Sequence, residues 1–434
     1  MATPVKATSG FPFRRFRLAV NQAFAASLPS VATIALSTAL LLTLAAPLRA
    51  QQPLSLADAA LRGQTIFEQS AVTGMVLVVV RNSEIMIKGY GETSSGSSHA
   101  PDSNSELRLC SISKVFTGDL LTRLSAAGTV SLTDPLQRYA PPHAKVPQGP
   151  DGTPVTLQDL ALHTSGLPRE VLPSPAKVPH FTFPGYAARW AWLPKQKLTT
   201  APGTVALYSN IGFDLLGDAL ASASNKSYAQ LLHETLLQPL AMWDTTLVPS
   251  KEQCARLLQP IKDEGPCTDT QASGASSGVY STPADMAKLL QYLLRVPSSV
   301  AQPAAALAVY LKPAQLKSVQ GLSHAGNPTG IGLGWVQLGD PDTPPALMEK
   351  TGGGAGFTTY IAVSPTRQTG IFLAATWSKG DATIDFFHEA NNLLAELANV
   401  PPLPPKVRPA PAVHRHAKPH RRTLKAPSTP QPAQ

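Results

Sequence analysis

The sequence predicts an α+β fold of the α/β class: an antiparallel sheet flanked by helices, with a mostly helical region of about 128–275 inserted into it. Three observations carry this. Strand patterns occupy both ends of the body, helical patterns fill its middle, and the C-terminal strands follow one another through tight turns, which is the connectivity of antiparallel neighbours. Val72 to Arg81 and Glu84 to Tyr90 read as two strands joined by the two-residue turn Asn82-Ser83. An amphipathic helix, Leu54 to Ser70, precedes this hairpin, and a polar loop follows from Gly91 to Asn104. Further helices are expected from Ser113 to about Ala127, at Thr156 to Leu162, Ile211 to Ala223, Tyr228 to Leu237 and Asp285 to Arg295. Ser281-Thr282-Pro283 reads as the cap of the last of these. Strands are then expected at Gly332–Gln337, Ala346–Thr351, Thr358–Val363 and Gly370–Thr376, closed by an amphipathic helix from Thr383 to Asn399.

Charge is placed unevenly along the 434 residues. The net charge of +9 comes from the two ends: residues 1–50 hold five Lys/Arg and residues 401–434 hold seven, neither with an acid. The body from 51 to 400 therefore has 36 − 5 − 7 = 24 basic and 27 acidic residues, a net of −3. A body so close to neutral excludes a nucleic-acid-binding surface as the meaning of the high pI. Arg14, Arg15 and Arg17 followed by an uncharged run to Leu48 read as an export signal, either cleaved near Ala50 or retained as a membrane anchor. The 400–434 segment holds ten prolines from 401 onward and reads as a disordered basic tail suited to contact with anionic wall polymer or membrane, or as a solvated tail without a role.

Export sets the reading of the three cysteines. Cys254 and Cys267 lie thirteen apart in a Gly-, Pro- and Asp-containing segment, and an oxidising compartment makes them a disulfide pair, with two free thiols as the alternative. Such a bond contributes on the order of 3 kcal/mol at most. Cys110 reads as a small buried residue.

The chemistry centres on Ser111-Ile112-Ser113-Lys114. Positions i and i+3 share a helix face, so Ser111 and Lys114 can meet at a helix start, where free N–H groups favour a developing oxyanion. Ser174-Pro175-Ala176-Lys177 repeats the letters among prolines, where no helix starts in the required register. Gly274-Ala275-Ser276-Ser277-Gly278 has the letters of a nucleophile elbow without its preceding apolar strand. Gly330 to Gly334 lacks the spacing of a dinucleotide loop, and the histidines form no metal-ligand pattern. No cofactor or metal is implied.

Tyr208-Ser209-Asn210 and Lys350-Thr351-Gly352 follow in order, each the sole copy of its pattern. With these three motifs the chain resembles the serine beta-lactamase and penicillin-binding-protein superfamily, in its class C branch. His163-Thr164-Ser165-Gly166-Leu167-Pro168, the Ser277–Met286 stretch and Gly332-Leu333-Gly334-Trp335 extend the resemblance to about 55–399. Within the branch the chain is most similar to D-alanyl-D-alanine carboxypeptidase/endopeptidases of the AmpH type, and the Cys254–Cys267 segment adds to that likeness. The resemblance implies a beta-lactamase/transpeptidase-like fold at 51–399.

It also implies roles. Ser111 attacks an amide carbonyl and becomes acylated, and Lys114 or Tyr208 takes its proton. Tyr208, between Lys114 and Lys350, passes the proton to the leaving amine or activates water. Asn210 binds the substrate amide, while Lys350 and Thr351 hold the free carboxylate of a terminal D-alanine or of a beta-lactam. Backbone N–H groups of Ser111 and Gly353 form the oxyanion hole. His163 packs beside the site. The function so implied is an exported, periplasmic serine D,D-peptidase that acts on peptidoglycan stem peptides and binds beta-lactams. The alternatives are a class C beta-lactamase, an esterase of the same fold and a non-catalytic wall-binding protein.

Overall fold

A computed structural model describes residues 53–175, 177–261, 265–294, 305–340, 343–378 and 382–404. The expected export segment, and the tail beyond 404, lie outside the described residues.

The body is built on one seven-stranded sheet. Its strands are β1 (Val72–Arg81), β2 (Glu84–Gly91), β3 (Gly330–Ile331), β4 (Val336–Asp340), β5 (Thr343–Gly354), β6 (Phe357–Ser364) and β7 (Thr369–Trp377). They lie side by side in the order β2-β1-β7-β6-β5-β4-β3, every pair antiparallel. The N-terminal hairpin thus joins the C-terminal strands through β1 and β7, with Val78 opposite Phe372. Met75 to Val80 are all fully buried, so both faces of β1 are covered.

Successive side chains of a strand point to opposite faces, and the helices divide accordingly. Leu77 meets α1 (Leu56–Gln69) at Gly63, where Tyr90 also packs. Gly370, the partner of Val80, lies instead against Leu290 and Leu294 of a helix at Pro283–Leu294. The closing helix Phe386–Ala398 starts at Asp385, whose carboxylate accepts the N–H groups of Phe387 and His388. Arg62 of α1 pairs with Glu389 and Glu396 of that closing helix.

Among the described residues between Gly91 and Gly330 the elements are helices, short turns and strands of two residues. One expected element is corrected. Gly332–Gln337 is not a continuous strand, because Gly332 to Trp335 form a tight turn between β3 and β4. Gly334 has φ +83°, and a Cβ there would come within 2.4 Å of the Lys114 carbonyl oxygen. Glycine therefore lets this turn press against the helix that follows Ser111. A Cβ on Gly118, one turn further along that helix, would come still closer, 1.9 Å from the Leu333 carbonyl oxygen.

Candidate active site

The nucleophile turn is assembled from backbone outward. Leu107–Arg108 pairs with Tyr280–Ser281, and the Leu109 N–H donates to Val279 O at 2.9 Å. Cys110 then takes φ +52°, a conformation that bends the chain sharply and is uncommon outside glycine. A single 3₁₀ turn, Cys110–Ile112, leads into α2 (Ser113–Ala126). Ser113 locks the bend: its hydroxyl donates to Cys110 O at 2.7 Å and accepts the Val279 N–H at 3.0 Å. The Cys110 thiol is fully buried, and burial pushes its pKa up to about 12, in keeping with a packing role. Residues 113–122 of α2 are all buried, so the helix is enclosed on every side rather than amphipathic.

Tyr208 and Asn210 stand at the start of a second buried helix, α3 (Asn210–Ser224). The middle residue of their motif supplies the cap. Ser209 Oγ accepts the Gly212 N–H at 2.9 Å and donates to Pro168 O at 2.6 Å, tying α3 to the His163–Pro168 segment. The His163 ring stacks on Tyr208 with centroids 4.6 Å apart, and its Nδ1 accepts the Ser209 N–H at 3.0 Å. Burial, together with Lys114, Lys350 and Arg169 nearby, holds the His163 pKa well below the ordinary value, so the ring is neutral.

Around Ser111 the expected groups converge. The Tyr208 hydroxyl lies 2.6 Å from Ser111 Oγ, and Lys114 Nζ lies 3.5 Å from it. Lys114 Nζ also donates to Asn210 Oδ1 at 2.6 Å and to Ser276 O at 2.7 Å. Over the Tyr208 ring stand three basic side chains: Lys114 at 4.8 Å, Lys350 at 5.3 Å and Arg169 at 4.8 Å from the centroid. Burial, above all, lowers the Lys114 pKa to about 7; Asp214 and Glu170 oppose that shift, and Arg169 adds to it. Lys350 is also fully desolvated and lowered, chiefly by burial, with Tyr208 and Glu349 opposing.

The strand β5 forms the other wall. Its partner β6 sets the register, with Thr351 opposite Tyr360, Gly352 opposite Thr359 and Gly353 opposite Thr358. A Cβ on Gly352 would lie 2.2 Å from Thr359 Oγ1, 2.8 Å from Leu109 O and 3.1 Å from Ser111 N. This glycine lets the strand run against the nucleophile turn. A Cβ on Gly353 would meet nothing closer than 3.8 Å. Thr359 Oγ1 donates to Leu109 O at 2.9 Å and fastens β6 to the same turn.

Ser111, Tyr208, Lys350, Thr351 and Gly353 share a cleft of about 300 Å³ with Arg169, Leu322, His324, Trp377 and Phe387. The side chain of Asn210 is engaged on both sides, Oδ1 with Lys114 and Nδ2 donating to Glu170 Oε1 at 2.5 Å. Cys254 and Cys267 form the disulfide, and Arg108 donates to Gly265 O and Pro266 O beside it, linking that loop to the strand leading into Ser111. Among the described residues no cluster of His, Cys, Asp or Glu is arranged to hold a metal ion. Three residues at the site carry no motif signal, Arg169, Glu170 and Asp214, and Ser276 takes part through its backbone carbonyl rather than as the serine of its Gly-x-Ser-x-Gly letters. The first two directly follow His163–Pro168, and Asp214 is one helical turn beyond Asn210, a spacing that puts both on one face.

A serine at a bent strand-to-helix turn, a buried lysine one turn on and a tyrosine within hydrogen-bond distance define a serine hydrolase. The beta-lactamase family profile matches residues 58–394, and the chain belongs to that family. It is 42% identical over 342 residues to the D-alanyl-D-alanine-carboxypeptidase/endopeptidase AmpH of Escherichia coli strain K12, covering 78% of this chain and 88% of that protein. A beta-lactamase/D-alanine carboxypeptidase from Yersinia pestis, solved with citrate, superposes with a TM-score of 0.73 at 40% identity, over 76% of this chain and 95% of its own. A class C beta-lactamase shares the fold, with a TM-score of 0.62 at 22% identity, over 78% and 94% of the two chains.

Proposed function

We propose that this chain is a serine D,D-peptidase, a D-alanyl-D-alanine carboxypeptidase/endopeptidase acting on peptidoglycan stem peptides, and that beta-lactams acylate it. The observation that carries this reading is the cation Lys350 beside Ser111 in one cleft, where a substrate ending in a free carboxylate is held next to the nucleophile. The 42% identity to AmpH supports the same substrate class.

The hydrogen-bond count at Lys114 supports a division of labour. A neutral amine has two N–H groups and one lone pair. Asn210 Oδ1 and Ser276 O accept the two N–H groups, which leaves the lone pair for the Ser111 proton. Lys114 is then the base of acylation. Tyr208, 2.6 Å from Ser111 Oγ and with Lys350 over its ring, carries the proton to the leaving amine and afterwards positions water for deacylation. Lys350 and Thr351 hold the terminal carboxylate. The N–H groups of Ser111 and Gly353 receive the oxyanion, and the open surroundings of Gly353 favour that role. Asn210 serves by holding Lys114, and its second Nδ2 proton remains for a substrate carbonyl.

The Cys254–Cys267 disulfide supports an oxidising compartment, and with the N-terminal composition it supports export to the periplasm, by a cleaved signal or a retained anchor. Contact of the basic tail with wall polymer or membrane rests on composition alone.

The test is one incubation of the purified protein with labelled penicillin and with a pentapeptide ending in D-Ala-D-Ala. A lasting acyl adduct and released D-alanine are expected, and both should vanish in Ser111→Ala. Rapid penicillin turnover without peptide cleavage would mark a beta-lactamase instead. Labelling that survives Ser111→Ala would misassign the nucleophile.

A further inference from the structure

Two basic side chains line the cleft, Lys350 and Arg169, and the chemistry above uses only Lys350. Lys350 is buried on β5, whereas the Arg169 side chain is 60% exposed. The Arg169 backbone is fixed at the start of α3. Its carbonyl accepts the N–H groups of Asn210 at 2.9 Å and Ile211 at 3.4 Å, next to the Pro168 carbonyl that accepts from Ser209 Oγ. Its guanidinium carbon lies 4.8 Å from the centroid of the Tyr208 ring, whose hydroxyl donates to Ser111. Arg169 Nε meets Glu170 Oε1 at 3.7 Å, beyond hydrogen-bond length, and that oxygen already accepts from Asn210 Nδ2. The forked donor of the guanidinium is therefore not consumed by this pair.

We propose that Arg169 is a substrate-binding residue for a second carboxylate, carried on the acyl side of the cleaved bond by the side chain of the residue before the acyl D-alanine. This rests on the D,D-peptidase reading, in which Lys350 and Thr351 take the carboxylate of the leaving residue and Asn210 faces the acyl part. Arg169 is tied through its backbone to Asn210 and not to β5, so it stands on the acyl half of the cleft. An arginine keeps its charge at every working pH and presents paired N–H groups that match a carboxylate. The substrates that fit carry one carboxylate on each side of the reacting bond.

Exposure sets the size of the effect. A carboxylate on Lys350 is held in a desolvated setting, where salt screens little. A carboxylate on Arg169 meets a side chain open to water, so its pairing is weaker and falls with salt. Two other uses of Arg169 lead to different results. Its charge is among those that lower the Lys114 pKa, and a residue serving only that purpose would alter acylation by every substrate alike. A residue sharing the terminal carboxylate with Lys350 would instead alter the preference for a free C-terminus.

The test measures D-alanine release from two peptides, N-acetyl-X-D-Ala-D-Ala, in which X is α-aminoadipate or its side-chain amide. Wild type should prefer the acid in kcat/KM by about fivefold, the size expected of a half-exposed ion pair. Arg169→Met should bring the acid-to-amide ratio to about one and keep the preference for a free over an amidated C-terminus. Arg169→Lys, which keeps the charge without the fork, should fall between. An unchanged acid-to-amide ratio in folded Arg169→Met overturns the inference, and so does loss of the terminal preference in its place. Should Arg169→Met fail to fold, the wild-type ratio is followed from about 0.05 M to about 0.5 M salt. A decline toward one supports the inference, and a flat ratio overturns it. Equal release from both peptides by wild type overturns the inference alone. No release from either, by folded protein, removes the D,D-peptidase reading and the inference with it.

Discussion

Two buried lysines stand over one tyrosine ring, Lys114 and Lys350, at 4.8 Å and 5.3 Å from its centroid. Both have lost nearly all contact with water, and both hold their protons less tightly than an exposed lysine. Their surroundings differ. Lys114 is bonded from behind by Asn210 and Ser276, and it presents one position toward Ser111. Lys350 stands on the strand edge, and its side lines the cleft. In the proposed mechanism the same side chain at the same burial serves as a base where its protons are already accepted, and as a carboxylate anchor where it lines the cleft.

That contrast can be broken at either lysine. The largest effect is expected from pH. The base must be neutral, and burial sets its proton loss at about 7, so acylation should fall about tenfold per pH unit below that point. A rate profile with an acid limb near 4 or 5 would assign the base to a carboxylate instead. On the alkaline side Lys350 loses its proton earlier than an exposed lysine does, so KM for a free-carboxylate substrate should rise while the acylation step does not slow.

A smaller effect tests how the Lys350 wall is aligned. Gly352→Ala puts a methyl group against Thr359 Oγ1 and the Leu109 carbonyl, the latter being backbone that cannot swing aside. Overpacking of this kind costs about 1–3 kcal/mol. Thermal unfolding should record that loss, together with weaker acylation, because Leu109 and Ser111 belong to one turn. A variant with unchanged stability and activity would mean that β5 is free to shift, and that the glycine serves another purpose.

The two lysines also differ in how far they were legible in the sequence. Ser111, Lys114, Tyr208 and Lys350 belong to short motifs, and their order carried the family and the fold. The strands of the sheet were legible too, because the runs at 75–80 and 370–376 leave no doubt of burial. The Gly332–Gln337 stretch misled, since an apolar run with two glycines reads as a strand until the Lys114 carbonyl is seen to require the turn. Of the partners behind Lys114, Asn210 was legible as a motif residue and the others were not. Asp214 lies 100 residues from it and Ser276 acts through its backbone, so no side-chain pattern marks that contact. Asp214 left one trace, an acid in the apolar helix one turn after Asn210, which amphipathic reading passes over.

The central claim is that Lys350 turns an activated serine toward substrates ending in a carboxylate. The direct measurement is kcat/KM for a D-Ala-D-Ala pentapeptide with a free and with an amidated C-terminus, in wild type and in Lys350→Met. A charge-assisted hydrogen bond contributes about 1.5–3 kcal/mol, so wild type should prefer the free acid by about tenfold or more. Lys350→Met should lose that preference by weakening the free acid and leaving the amide nearly unchanged. Equal activity of wild type on both peptides, or an equal loss on both in the variant, would contradict the account.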